Sequence, residues 1–66
     1  MFKVGDIIEM VDVDSRDMGY CIATIIDIID NTIVGIWTPN MRHAMWDEKI
    51  LRNAVKCGDL NFHESK

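Results

Sequence analysis

Apolar and polar positions alternate along most of this chain, and the alternation reads as strands more readily than helices. Ile7 to Val13 places Ile8 and Met10 on one side and Ile7, Val11 and Val13 on the other, which predicts a first, curved strand with apolar groups on both faces. Asp12 to Gly19 is polar and reads as a loop. Tyr20 to Ile29 is the strongest element. Ten residues rich in β-branched side chains predict a long strand, with Ile22, Thr24, Ile26 and Ile28 on one face and Cys21, Ala23, Ile25, Asp27 and Ile29 on the other. Asp30-Asn31 follows, two residues that tolerate positive φ, and predicts a two-residue hairpin turn. Thr32 to Trp37 is the returning strand, broken by Thr38-Pro39-Asn40 because Pro39 cannot donate to a ladder. Arg42 to Trp46 reads as a fourth strand, Asp47-Glu48-Lys49 as a turn, Ile50-Leu51-Arg52 as a short fifth strand or a helical turn, and Asn53 to Cys57 as one more short piece ended by Gly58.

Five short strands in so few residues predict an all-β domain: a small five-stranded SH3-like barrel over residues 1–58, with a polar, fraying tail over 59–66. An OB barrel usually needs more residues and a helix between its third and fourth strands. The expected core is Val4, Ile8, Met10, Ile22, Ala23, Ile25, Val34, Ile36, Trp46 and Leu51. A chain of 66 residues leaves no room for a doubly wound nucleotide-binding fold. With 48% hydrophobic and 27% charged residues it is suited to fold rather than remain disordered.

Net charge is −4, which disfavours a strongly basic nucleic-acid binder. The charge is uneven: residues 1–33 hold Lys3 and Arg16 against seven acids, whereas residues 34–57 hold Arg42, Lys49, Arg52 and Lys56 against Asp47 and Glu48. Cys21 and Cys57 have no zinc-ligand spacing, and with no secretory leader they lead to an expected cytoplasmic location. No apolar run is long enough for a membrane span. The chain reads as a stand-alone small gene product, so a regulator of a host protein encoded by a phage or mobile element is one expectation.

Tests for chemistry exclude most options. Counting a calcium loop from Asp12 puts Arg16 at position five, Asp17 at six and Ala23 at twelve, where oxygen ligands and glycine are needed, so no metal or other cofactor is expected. His43 and His63 have no ligand partners at useful spacing. Ser15 and Ser65 lie in polar contexts without a base, and the four glycines are dispersed, so the chain is not read as an enzyme.

The stretch Phe2-Lys3-Val4-Gly5-Asp6-Ile7-Ile8-Glu9 resembles the opening of Tudor-like, Agenet-like and malignant-brain-tumour repeats. Tyr20-Cys21-Ile22-Ala23-Thr24-Ile25 resembles their second strand, and Trp37 and Trp46-Asp47-Glu48 with Ile50-Leu51-Arg52 their later aromatic segments. The resemblance covers residues 2–52 and implies a Tudor-like barrel that binds peptides. Some of these domains hold methylated lysine in an aromatic cage, for which Tyr20, Trp37 and Trp46 would be the aromatics here and Asp12, Asp14 or Asp17 the acid. Asn40-Met41-Arg42-His43-Ala44-Met45 departs from that pattern where further aromatics are needed.

The function expected from these residues is non-catalytic binding of a protein or peptide through one end of the barrel. The contact residues would be Asp14, Asp17, Tyr20, Trp37, Asn40, Met41, Arg42 and His43. The alternative is a nucleic-acid-associated module using Arg42, Lys49, Arg52 and Lys56.

Overall fold

The computed structural model describes residues 1–65. Its elements run β1 (Ile7–Met10), α1 (Val13–Asp17), β2 (Tyr20–Ile29), β3 (Thr32–Pro39), β4 (His43–Asp47), α2 (Glu48–Cys57) and β5 (Leu60–His63). The five strands form one antiparallel sheet in the order β4-β3-β2-β1-β5. The sheet is mostly a meander whose last strand returns beside the first. β4 and β5 are its two edges and do not pair with each other, so the sheet is open rather than closed into a barrel.

β2 and β3 carry the fold. Ala23 pairs with Trp37, Ile25 with Gly35 and Ile28 with Ile33. Simple alternation along β2 would point Asp27 to the same side as Ala23 and Ile25. A bulge between Ile25 and Asp27 inserts Ile26, reverses the parity and turns Asp27 outward against Val34, while Ile28 joins the core side. One extra residue thus keeps a carboxylate out of the core. The hairpin turn falls at Asp30-Asn31 as expected, with Asp30 at φ 54°.

The core comprises Ile8, Ala23, Ile25, Ile33, Trp37, Leu51 and Leu60, with Phe2, Met10, Tyr20, Ile28, Ala44, Trp46, Ala54, Val55 and Phe62 packed against it. Gly35 admits Trp46: a Cβ there would stand 3.1 Å from the indole Cζ3 and 3.1 Å from the Thr24 carbonyl oxygen. Four expected core residues lie elsewhere. Val4 sits in the turn before β1, where the Asp6 amide donates to the Lys3 carbonyl, and is exposed. Ile22 pairs with Thr38 on the outer face of the sheet and is also exposed. Val34 and Ile36 are half-buried on that same face.

Three further expectations need correction. The segment read as a turn, a short strand and a further short piece is one helix, α2. Asp47 caps it by accepting the Lys49 and Ile50 amides at 2.9 and 3.4 Å, and Gly58 ends it in the left-handed region at φ 86°. Leu51, Ala54 and Val55 form its buried stripe. The loop after β1 holds a short helix, α1, capped by Asp12, which accepts from the Ser15 amide and hydroxyl, each at 2.9 Å. The expected polar tail contains β5, whose Leu60 and Phe62 turn inward beside Met10 and Ile8 while Asn61 and His63 turn outward. Apolar residues at every second position suffice for an edge strand once β1 offers it a ladder.

Asp6 ties the ends of the chain together. It is fully buried, and its two carboxylate oxygens accept the Lys3 and Ser65 amides at 2.8 Å each. Gly5, at φ 98°, lies against Ser65, and its amide donates to the Ile25 carbonyl at 2.8 Å.

Candidate interaction surface

The expected contact residues divide between two environments. Trp37, expected as an accessible anchor, is core and only 6% exposed, because its pairing with Ala23 aims the indole at the covered face of the sheet. Tyr20, Trp37 and Trp46 contact one another edge-to-face, with ring centroids 5.9 Å apart in each successive pair. That series stabilises packing. It leaves Trp37, the ring in the middle, occupied on both sides by its neighbours, which is not the arrangement of an aromatic cage around a cation.

The remaining residues do converge on one end of the sheet. Asp14 and Asp17 are exposed on α1, and Asn40, Met41 and Arg42 form the β3–β4 loop. The two segments are fastened by Asn40, whose backbone amide donates to the Gly19 carbonyl at 3.2 Å and whose side-chain amide donates to the Met18 carbonyl at 3.4 Å. The same side chain accepts the Arg42 amide at 2.9 Å, which shapes a loop in which Met41 takes φ 62°. The Trp37 amide donates to the Arg42 carbonyl at 2.8 Å and anchors the loop to the core. His43 opens β4 and pairs with Ile36 on the outer face of the sheet.

Methionines flank the Asn40 bridge. Met18 and Met41 are 71% and 63% exposed, and Val11 and Val13 are exposed before and at the start of α1. Met18 and Met41, with Met10 and Met45, are methionines that the sequence offers as an adaptable contact surface, whereas Val11 and Val13 were not among the expected contact residues. The available signal was their apolar character within an otherwise polar loop. Arg16 is taken up internally, donating to the Met10 carbonyl at 2.8 Å and lying 3.6 Å from Glu9. Asp14 and Asp17 have no cationic partner among the described residues, and neither does Arg42 have an acidic one. The end of the molecule therefore presents flexible apolar groups between uncompensated charges.

A second polar group lies at the β1–β5 border. The Glu9 carboxylate lies 3.0 Å from His63 Nε2, within hydrogen-bond distance, and 3.6 Å from Arg16. The hydrogen bonds from His63 and Asn61 hold the Glu9 carboxyl below its ordinary value of 4.5, with the charges of His63 and Arg16 adding to the effect. The hydrogen bonds from the Ser15 amide and hydroxyl likewise hold the Asp12 carboxyl below the usual carboxylate range.

The cations of the nucleic-acid alternative are spread over two elements. Lys49, Arg52 and Lys56 lie on α2, and Arg42 lies in the β3–β4 loop. Arg52 is paired with Glu48 at 3.2 Å. Cys21 is half-buried, its thiol 3.4 Å from the Arg16 carbonyl, and Cys57 is exposed on α2; neither is in a disulfide. Among the described residues there is no group of three or more His, Cys, Asp or Glu side chains placed to hold a metal ion, and no helix long and apolar enough to cross a membrane. Compared with known proteins, the chain matches no family model, no curated protein and no solved structure.

Proposed function

We propose that this protein is a non-catalytic binding module that engages a protein partner through the end of the sheet formed by α1 and the β3–β4 loop. The observation that carries this reading is the Asn40 bridge, which fastens two sequence-distant loops and holds Met18 and Met41 exposed on either side of it. Loops tied to a rigid sheet offer a contact surface with little ordering cost. Exposed methionines adapt to a partner's apolar surface. The carboxylates of Asp14 and Asp17 favour a partner with basic groups around its apolar contact. A meander whose last strand returns beside the first is consistent with an SH3-like, Tudor-like plan opened on one side, and such small sheets serve many binding roles.

The test is site-specific photocrosslinking in extracts of cells that produce the protein. A photoreactive side chain at Met18 or Met41 should trap a defined partner, and one at Ile50, exposed on α2, should not. Asp14→Lys with Asp17→Lys should reduce that crosslink without altering the fold. Equal crosslinking from all three positions, or none from the first two, rejects the reading.

A further inference from the structure

A groove of about 330 Å³ lies between α2, the N-terminal segment and β5, lined by Met1, Phe2, Arg52, Val55, Lys56 and Phe62. Phe2 and Phe62 meet edge-to-face with centroids 5.3 Å apart. With Val55 they pack on the core, so the apolar floor of the groove is continuous with it. Arg52 and Lys56 are four residues apart on one helix and share a face, which places both cations on the same rim. Among the described residues no carboxylate lines the groove. In a chain of net charge −4, an apolar groove bordered by two cations, only one of them paired with an acid among the described residues, runs against the overall electrostatics.

We infer that this groove is a second binding site, which accepts a large apolar side chain of a partner peptide flanked by carboxylates. The floor meets the side chain with aromatic and aliphatic surface, and the rim meets the acids. Arg52 reaches Glu48 through one terminal nitrogen at 3.2 Å, and a guanidinium has further donors to offer. Lys56 has no carboxylate partner among the described residues. A peptide can insert one side chain into such a groove while its backbone stays at the rim, whereas a site for a free small ligand encloses most of its ligand. This site is independent of the Asn40 end: its residues lie on α2, β5 and the N-terminal segment.

The test is amide NMR of the full chain titrated with acetyl-Glu-Phe-Asp-Glu-amide. Two control peptides accompany it, one with lysines replacing the acids and one with serine replacing the phenylalanine. Saturable shifts centred on Phe2, Arg52, Val55, Lys56 and Phe62 are expected, with neither control binding. Lys56→Glu, at an exposed position, should weaken binding about tenfold by reversing the rim charge. Phe2→Ala should weaken it as well, while leaving the dispersed spectrum of the sheet intact. Indifference to Lys56→Glu, equal binding of the lysine peptide, or shifts centred on Met18 and Met41 would overturn the inference. So would saturation by octanoate without saturation by the peptide, which would make the groove a site for free amphiphilic anions.

Discussion

The carboxylate of Asp6 accepts the backbone amide of Ser65 at 2.8 Å, 59 residues further along the chain. Its other oxygen accepts the Lys3 amide, so one fully buried side chain closes the turn into β1 and fastens the segment after β5. Removing it strands two amide donors at once. Asp6→Ala should cost about 3 kcal/mol, because each buried unsatisfied donor carries a desolvation penalty. Asp6→Asn should also destabilise, since an amide group replaces one acceptor with a donor facing a donor. Urea denaturation measures both, and a variant as stable as the parent would show that Asp6 does not fasten the two ends.

Trp37 is a core residue, so its removal should act on folding before it acts on binding. Trp37→Ala should cost about 3–5 kcal/mol, the usual range for emptying a large aromatic site. In a chain this small such a loss approaches the whole stability. A folded Trp37→Ala variant with a dispersed amide spectrum would contradict the burial described above.

Gly19 and Gly58 both have positive φ but differ in surroundings. A Cβ at Gly19 would stand 2.7 Å from the Cβ of Asn40, whereas one at Gly58 would meet nothing within 4 Å. Gly58→Ala should therefore cost only the backbone strain, about 1 kcal/mol. Gly19→Ala adds a collision to that strain and should cost about 2–4 kcal/mol. It should also separate α1 from the β3–β4 loop and abolish crosslinking from Met18 and Met41. Thermal denaturation of the two variants compares them directly, and equal losses would reject the close approach.

Glu9 makes stability depend on pH in a set direction. Its folded carboxyl titrates below the ordinary 4.5, so between the two values the unfolded chain binds more protons than the folded one. The stability it contributes is complete above the unfolded value and is lost as pH falls through the lowered folded value. The protection factors of the Asn61 and His63 amides, observed exchange divided into the intrinsic rate at each pH, should therefore fall below about pH 4.5, and Glu9→Gln should flatten that dependence. An unchanged pH profile in Glu9→Gln would assign the acid sensitivity to other groups.

Much of this architecture was legible residue by residue. β2 was readable from its β-branched run, the turn at Asp30-Asn31 from two residues that tolerate unusual φ, and the start of β3 from the apolar return at Thr32. α2 also had its signals: Asp47 as cap, Glu48 and Arg52 four apart, Leu51, Ala54 and Val55 at helical spacing, and Gly58 as stop. Ile50-Leu51-Arg52 taken alone fits a short strand as well as a helical turn, which hid a helix that runs on to Cys57. β5 carried only two inward apolar residues, too weak a signal without its partner strand.

By itself the sequence determined the mostly β character, the long central hairpin and a chain too small for more than one core, because β-branching, turn chemistry and length act locally or through composition. Only the tertiary structure decided that a bulge at Ile26 turns Asp27 outward, that Trp37 is core while Met18 and Met41 are exposed, and that Asp6 holds Ser65. Each of those depends on register or contact between residues distant in sequence. A one-residue shift in pairing exchanges the two faces of a strand, and no local pattern specifies it.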